Sequence, residues 1–110
     1  MKTIYLSGPI TGRNPIEMKN HFFEVAISLR RQAAKLTDEK VEVYDPSDIS
    51  DANLAHDTYM KIARDVLHDP KISAICLMKG WERSRGCMME LMWAKAQGMP
   101  IIYEAGAMRA

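Results

Sequence analysis

The feature that most constrains this chain is an alternation. Four short runs of β-branched, aromatic and apolar residues are separated by segments of helical periodicity, all within 110 residues. The first run is Thr3-Ile4-Tyr5-Leu6-Ser7, stopped by Gly8-Pro9. The second is Val41-Glu42-Val43-Tyr44, closed by Asp45-Pro46. The third, Ile72-Ser73-Ala74-Ile75-Cys76-Leu77-Met78, is apolar enough to be covered on both faces. The fourth is Pro100-Ile101-Ile102-Tyr103.

The segments between them read as helices. Asn14 is a fitting N-cap with Pro15 at the first helical position, and Phe22, Ala26, Leu29, Ala33 and Leu36 recur at helical spacing. From Asp57 a second stripe runs through Tyr59, Ile62, Ala63, Val66 and Leu67, and Asp69-Pro70 ends it. A third helix is expected from about Arg85 to Gln97, with Gly98 and Pro100 as its stop signals. Residues 47–55 are polar and read as a loop or a single helical turn, and residues 104–110 as a short tail.

The order β-α-β-α-β-α-β predicts a parallel sheet with helices on both faces. The expectation is one α/β domain over residues 1–110, a small doubly wound, flavodoxin-like sheet with strand order 2-1-3-4. Such a sheet binds its ligand at the carboxyl ends of the strands where the order reverses, here between strands one and three. The loops that follow those strands, residues 8–13 and 79–86, are the two most polar glycine-containing loops of the chain.

Composition narrows the function. With 47% hydrophobic and 26% charged residues, the chain has the make-up of an ordinary soluble globular protein. A formal net charge of +1 gives no electrostatic reason to expect nucleic acid or an anionic membrane as partner. No apolar run approaches membrane-spanning length and the N-terminus lacks a signal-peptide core, so a cytoplasmic location is expected. Cys76 and Cys87 lack metal-ligand spacing, and His21, His56 and His68 are scattered, so no metal is expected. The nine methionines suit adaptable core filling or a subunit interface.

One residue stands out against this background. Glu90 is the only charge in Gly86-Cys87-Met88-Met89-Glu90-Leu91-Met92-Trp93-Ala94. A carboxylate among Met, Leu and Trp loses hydration and needs a partner, or is there for its reactivity. Tyr5, on a strand expected to be buried, needs a partner for its hydroxyl, and Glu90 is the natural candidate. The helix dipole favours a charged Glu90 by roughly 0.3–1 kcal/mol. A buried carboxylate so held can serve as a nucleophile for glycosyl or phosphoryl transfer.

The two loops supply candidate binding groups. The first offers Ser7, Thr11, Arg13 and the backbone amides around Gly8 and Gly12, a set that suits a phosphate or a sugar hydroxyl or makes a plain strand-to-helix turn. It matches neither the phosphate-loop nor the dinucleotide glycine pattern. In the second, Trp81 can stack on a base or cover a sheet edge, and Arg83 and Arg85 can bind phosphate or be solvated. Asp65 can pair with Lys61 four residues earlier, for roughly 0.2–0.5 kcal/mol, or take part in catalysis.

Three segments together resemble the nucleoside 2-deoxyribosyltransferase superfamily, in its short bacterial and phage branch. They are Lys2-Thr3-Ile4-Tyr5-Leu6-Ser7-Gly8-Pro9-Ile10-Thr11-Gly12, Tyr59-Met60-Lys61-Ile62-Ala63-Arg64-Asp65, and Gly80-Trp81-Glu82-Arg83-Ser84-Arg85-Gly86 followed by Glu90. The last resembles a G-W-x-x-S-x-G-x-x-x-E signature. The resemblance implies that Glu90 is the nucleophile, that Tyr5 holds it, and that Asp65 is an acid near the base or sugar. Ser84 stands where transferases of free nucleosides tend to carry aspartate and where nucleoside 5′-monophosphate N-glycosidases tend to carry serine. It implies a nucleotide substrate, with Ser7, Gly8, Thr11, Gly12, Arg13, Trp81, Ser84 and Gly86 around it. Met88 replaces a glycine of many relatives and is expected to narrow the pocket. The resemblance further implies a homodimer or larger assembly and no cofactor. The alternative is a nucleotide-binding module, a sensor or sponge, that uses the same crevice without chemistry.

Overall fold

The structure is a computed structural model, and it describes residues 2–47 and 56–110. Residues 48–55, for which the sequence suggests a loop or single turn, lie outside the described residues. The chain runs β1 (Lys2–Ser7), α1 (Pro15–Leu36), β2 (Val41–Tyr44), α2 (His56–Leu67), β3 (Ile72–Leu77), a short 3-10 turn (Trp81–Arg83), α3 (Arg85–Ala96) and β4 (Ile101–Tyr103).

The four strands form one parallel sheet in the order β2-β1-β3-β4, as the alternation predicts. Consecutive side chains on a strand point to opposite faces, so β1 divides its residues between two cores. Leu6 joins Cys76 and Met78 on the face covered by α1, against Met18, Phe22, Val25, Ala26 and Leu29. Tyr5 joins Ile75 and Leu77 on the face covered by α2 and α3, against Ala63, Leu67, Cys87, Leu91 and Ala94. The sheet is therefore doubly wound, in a flavodoxin-like arrangement.

Local chemistry sets the helix ends. The Asn14 side chain accepts hydrogen bonds from the backbone N–H groups of Ile16 (3.0 Å) and Glu17 (3.1 Å), which caps α1. The apolar stripe of α1 stops before the helix does: Leu36, expected on the buried face, is 85% exposed. Ser84 caps α3 by accepting from the Cys87 N–H at 3.2 Å. Gly98, at φ 67°, takes the left-handed conformation that ends α3. Among the described residues no helix is long and apolar enough to cross a membrane.

Candidate functional site

An open cleft of about 1000 Å³ lies at the carboxyl ends of β1 and β3. Three segments wall it. Gly8, Pro9, Ile10 and Thr11 follow β1; Arg83 to Cys87, with Met89 and Glu90, follow β3; His56, Asp57, Tyr59 and Met60 form the first turns of α2. This is the reversal point of the strand order, where doubly wound sheets bind ligands.

Two glycines let the walls approach. A Cβ on Gly8 would sit 2.8 Å from the sulfur of Met78, which is fully buried, so a side chain there would push the first loop away from β3. A Cβ on Gly86 would come within 3.3 Å of the Met60 sulfur, so glycine there brings α3 close to α2.

Glu90 forms the floor and is only 3% exposed. Its two oxygens are held separately. The Tyr5 hydroxyl donates to Oε2, and the Ser7 hydroxyl donates to Oε1 at 2.8 Å. Tyr5 and Ser7 are two residues apart on β1, so the pleat aims both at the same face. The Tyr5 ring is stacked on Tyr44 of β2, with centroids 5.3 Å apart and planes within 14°.

Burial dominates the electrostatics. It pushes the Glu90 carboxyl up to about 7, while the hydrogen bonds from Tyr5 and Ser7 pull the other way. Burial, and then the neighbouring Glu90 charge, raise Tyr5 well above the ordinary phenol range. The same two causes raise Tyr59 and Tyr44, and lift Cys87 to about 11. The tyrosines and the thiol around Glu90 are therefore neutral at neutral pH, and the carboxyl is the group poised to change charge.

The structure brings together much of the set that the sequence suggests. Tyr5, Ser7 and Glu90 are hydrogen-bonded, and Gly8, Thr11, Ser84 and Gly86 line the cleft. Other residues are placed elsewhere. Asp65 is exposed and does not line the cleft. It lies two residues from both Ala63 and Leu67, which are buried, and two residues turn a helix by about 200°. Trp81 is 6% exposed, packed in the core, and its indole N–H donates to the Met108 carbonyl at 2.6 Å. It covers the sheet and does not present a face to the cleft.

Arg13 braces the first loop. Its guanidinium donates to the Pro9 carbonyl at 3.0 Å and lies 3.1 Å from His21 Nδ1. Arginine can only donate, so Nδ1 accepts and His21 carries its proton on Nε2, 2.8 Å from Glu104 Oε1. That oxygen also accepts the Lys79 N–H at 2.8 Å, which links the two cleft loops. Gly12 is exposed and outside the lining. Met88 is 45% exposed on the outer side of α3, so it does not narrow the cleft; its neighbour Met89 lines it instead.

The first turns of α2 complete the cleft wall, and no local motif marks them in the sequence. The strand order does signal them: a helix that follows β2 starts at the carboxyl end of the sheet, so His56, Asp57 and Tyr59 begin beside the crevice.

No curated protein and no solved structure matches the chain. One family model does, that of the "Domain of unknown function (DUF4406)", over residues 2–103. That span takes in all four strands, both cleft loops and Glu90, and the chain belongs to the DUF4406 family.

Proposed function

We propose that the cleft binds a nucleoside or, preferably, its 5′-monophosphate, and that Glu90 cleaves the N-glycosidic bond. The observation that carries this reading is the carboxylate itself: buried at the floor of an open cleft, held by two hydroxyls, with its ionisation shifted into the neutral range. The resemblance of the three sequence segments to nucleoside deoxyribosyltransferases and nucleotide N-glycosidases supports it.

The reaction is a retaining double displacement. A Glu90 oxygen attacks C1′ as the C1′–N bond breaks, and the bonding pair leaves with the base. The base takes a proton from water in the open cleft, since Asp65 is on the other side of α2. Water, or a second base, then attacks C1′ and releases Glu90. Ser84, Thr11, Arg83 and Arg85 line the cleft and are the groups offered to the sugar and phosphate. Binding energy gathered there lowers the barrier at C1′. A homodimer or larger assembly belongs to the same proposal, with the exposed Met88 and Met92 of α3 as its candidate surface.

A binding module without chemistry would use the same cleft; Met88, expected to narrow it, lies outside its lining. The test is a panel of nucleosides and 5′-monophosphates, with free base measured by chromatography beside Glu90→Ala. Base release from at least one monophosphate is expected, reduced at least about 10³-fold in the variant, the equivalent of about 4 kcal/mol in the barrier. No release from any substrate, or equal release by the variant, would sink the proposal.

A further inference from the structure

The segment that follows β4 lies against the second cleft loop. The Glu104 N–H donates to the Leu77 carbonyl at 2.9 Å, at the end of β3. A Cβ on Gly106 would sit 2.8 Å from Lys79 Cε, so the chain turns tightly against the Lys79 stem. The Trp81 indole N–H is held by the Met108 carbonyl. These contacts fix the stretch that leads into Arg83, Ser84 and Arg85 of the cleft.

Glu104 does not line the cleft, yet it reaches both of its loops. Its Oε1 accepts from the Lys79 N–H of the second loop and from His21 Nε2 of α1, both at 2.8 Å. A carboxylate oxygen has lone pairs for both. His21 carries the tie onward: Nδ1 accepts from Arg13, and Arg13 donates to the Pro9 carbonyl of the first loop. The Glu104 and His21 side chains are each only 18% exposed, so these bonds are made largely out of water, where they are stronger. The loops also approach each other directly, since a Cβ on Gly80 would come within 3.2 Å of the Pro9 ring.

We propose that Glu104 is a positioning residue for the cleft: one carboxylate oxygen, tied to Lys79 directly and to Pro9 through His21 and Arg13, sets the spacing of the two loops. On the proposed function these loops carry the groups offered to the sugar and phosphate, so their spacing governs how well the substrate is held. That consequence rests on the proposed function; the tie between the loops does not.

The test is amide hydrogen exchange in the full chain, followed residue by residue by NMR. Two amides report on the two ends: the Lys79 N–H, which bonds Glu104, and the Arg13 N–H, which closes the first loop onto the Ile10 carbonyl at 3.3 Å. Glu104→Ala is expected to speed exchange by at least about tenfold at Lys79 and about threefold at Arg13, as for the loss of a hydrogen bond to a charged group. His21→Phe keeps a ring and removes both nitrogens. It should speed Arg13 equally and leave Lys79 protected. The double variant should be no faster at Arg13 than Glu104→Ala, since both changes cut one chain of bonds. Glu104→Gln, whose carbonyl oxygen can accept the same two bonds, should recover most of the protection. In base release, Glu104→Ala should raise KM for the monophosphate about tenfold with kcat within about threefold, whereas a merely destabilised protein loses kcat and keeps its KM. Unchanged Arg13 exchange in Glu104→Ala or His21→Phe, additive effects in the double variant, Glu104→Gln as fast as Glu104→Ala, or lost kcat at constant KM would overturn the proposal. Absence of base release from every substrate would overturn the glycosidic reading alone and leave the exchange result standing.

Discussion

Tyr5 and Leu6 are neighbours on one strand, and each is fully buried, yet they serve opposite ends. Leu6 enters the apolar cluster under α1, where the side chains need no polar partner. Burying it is worth roughly 1.5–3 kcal/mol, and the gain does not depend on pH. Tyr5 enters the other core, where its hydroxyl meets a carboxylate that burial disfavours. The two faces of one sheet thus differ in kind. The α1 face holds the fold together. The α2/α3 face also holds it, but it carries a carboxylate whose charged form burial disfavours. A buried carboxyl at the floor of a cleft, its charged form disfavoured by burial, is the observation behind the proposed function.

The largest effect expected on this contrast is the loss of base release in Glu90→Ala, at least about 10³-fold, with the fold retained. Next comes Leu6→Ala. It should lower stability by about 3 kcal/mol, read from urea unfolding, because the fully packed site leaves a cavity. It should leave the pH midpoint of the Glu90 carboxyl, read by difference infrared spectroscopy, where it was. A shift as large as that expected from Tyr5→Phe, which removes the Oε2 donor, would break the separation of the two faces. The smallest effect is expected from Asp65→Asn. Its exposed position predicts base release within about twofold of the unmodified protein, and a tenfold loss, about 1.4 kcal/mol, would return the acid role to α2's outer side.

Much of the fold was legible in the sequence because local signals agreed with the global pattern. Asn14-Pro15 starts α1, Asp69-Pro70 separates α2 from β3, and Gly98 with Pro100 separates α3 from β4. The pairing of Tyr5 with Glu90 was legible too, since each was a buried polar group in need of a partner. Asp65 does not line the cleft, and the stripe Ala63, Val66, Leu67 already puts it on the outer side of its helix. Trp81 and Arg13 could not be read locally. Their partners, the Met108 carbonyl and the His21–Glu104 pair, come from elements brought together only by the tertiary fold.

The central claim is that Glu90 is retained for chemistry and weighs against stability. Its carboxyl is raised in the folded protein from an ordinary 4.5 to about 7. Between those values the native state holds more protons than the unfolded state, so stability falls as pH rises through that window. A shift of this size corresponds to a penalty on the order of 3 kcal/mol above the window. The direct measurement is the urea unfolding free energy of Glu90→Gln against the unmodified protein, from pH 4 to pH 8. The account predicts that the difference moves in favour of Glu90→Gln by a few kcal/mol as pH rises from about 4.5 to 7, then levels off. A difference that does not change with pH, or one that moves against Glu90→Gln, would contradict it.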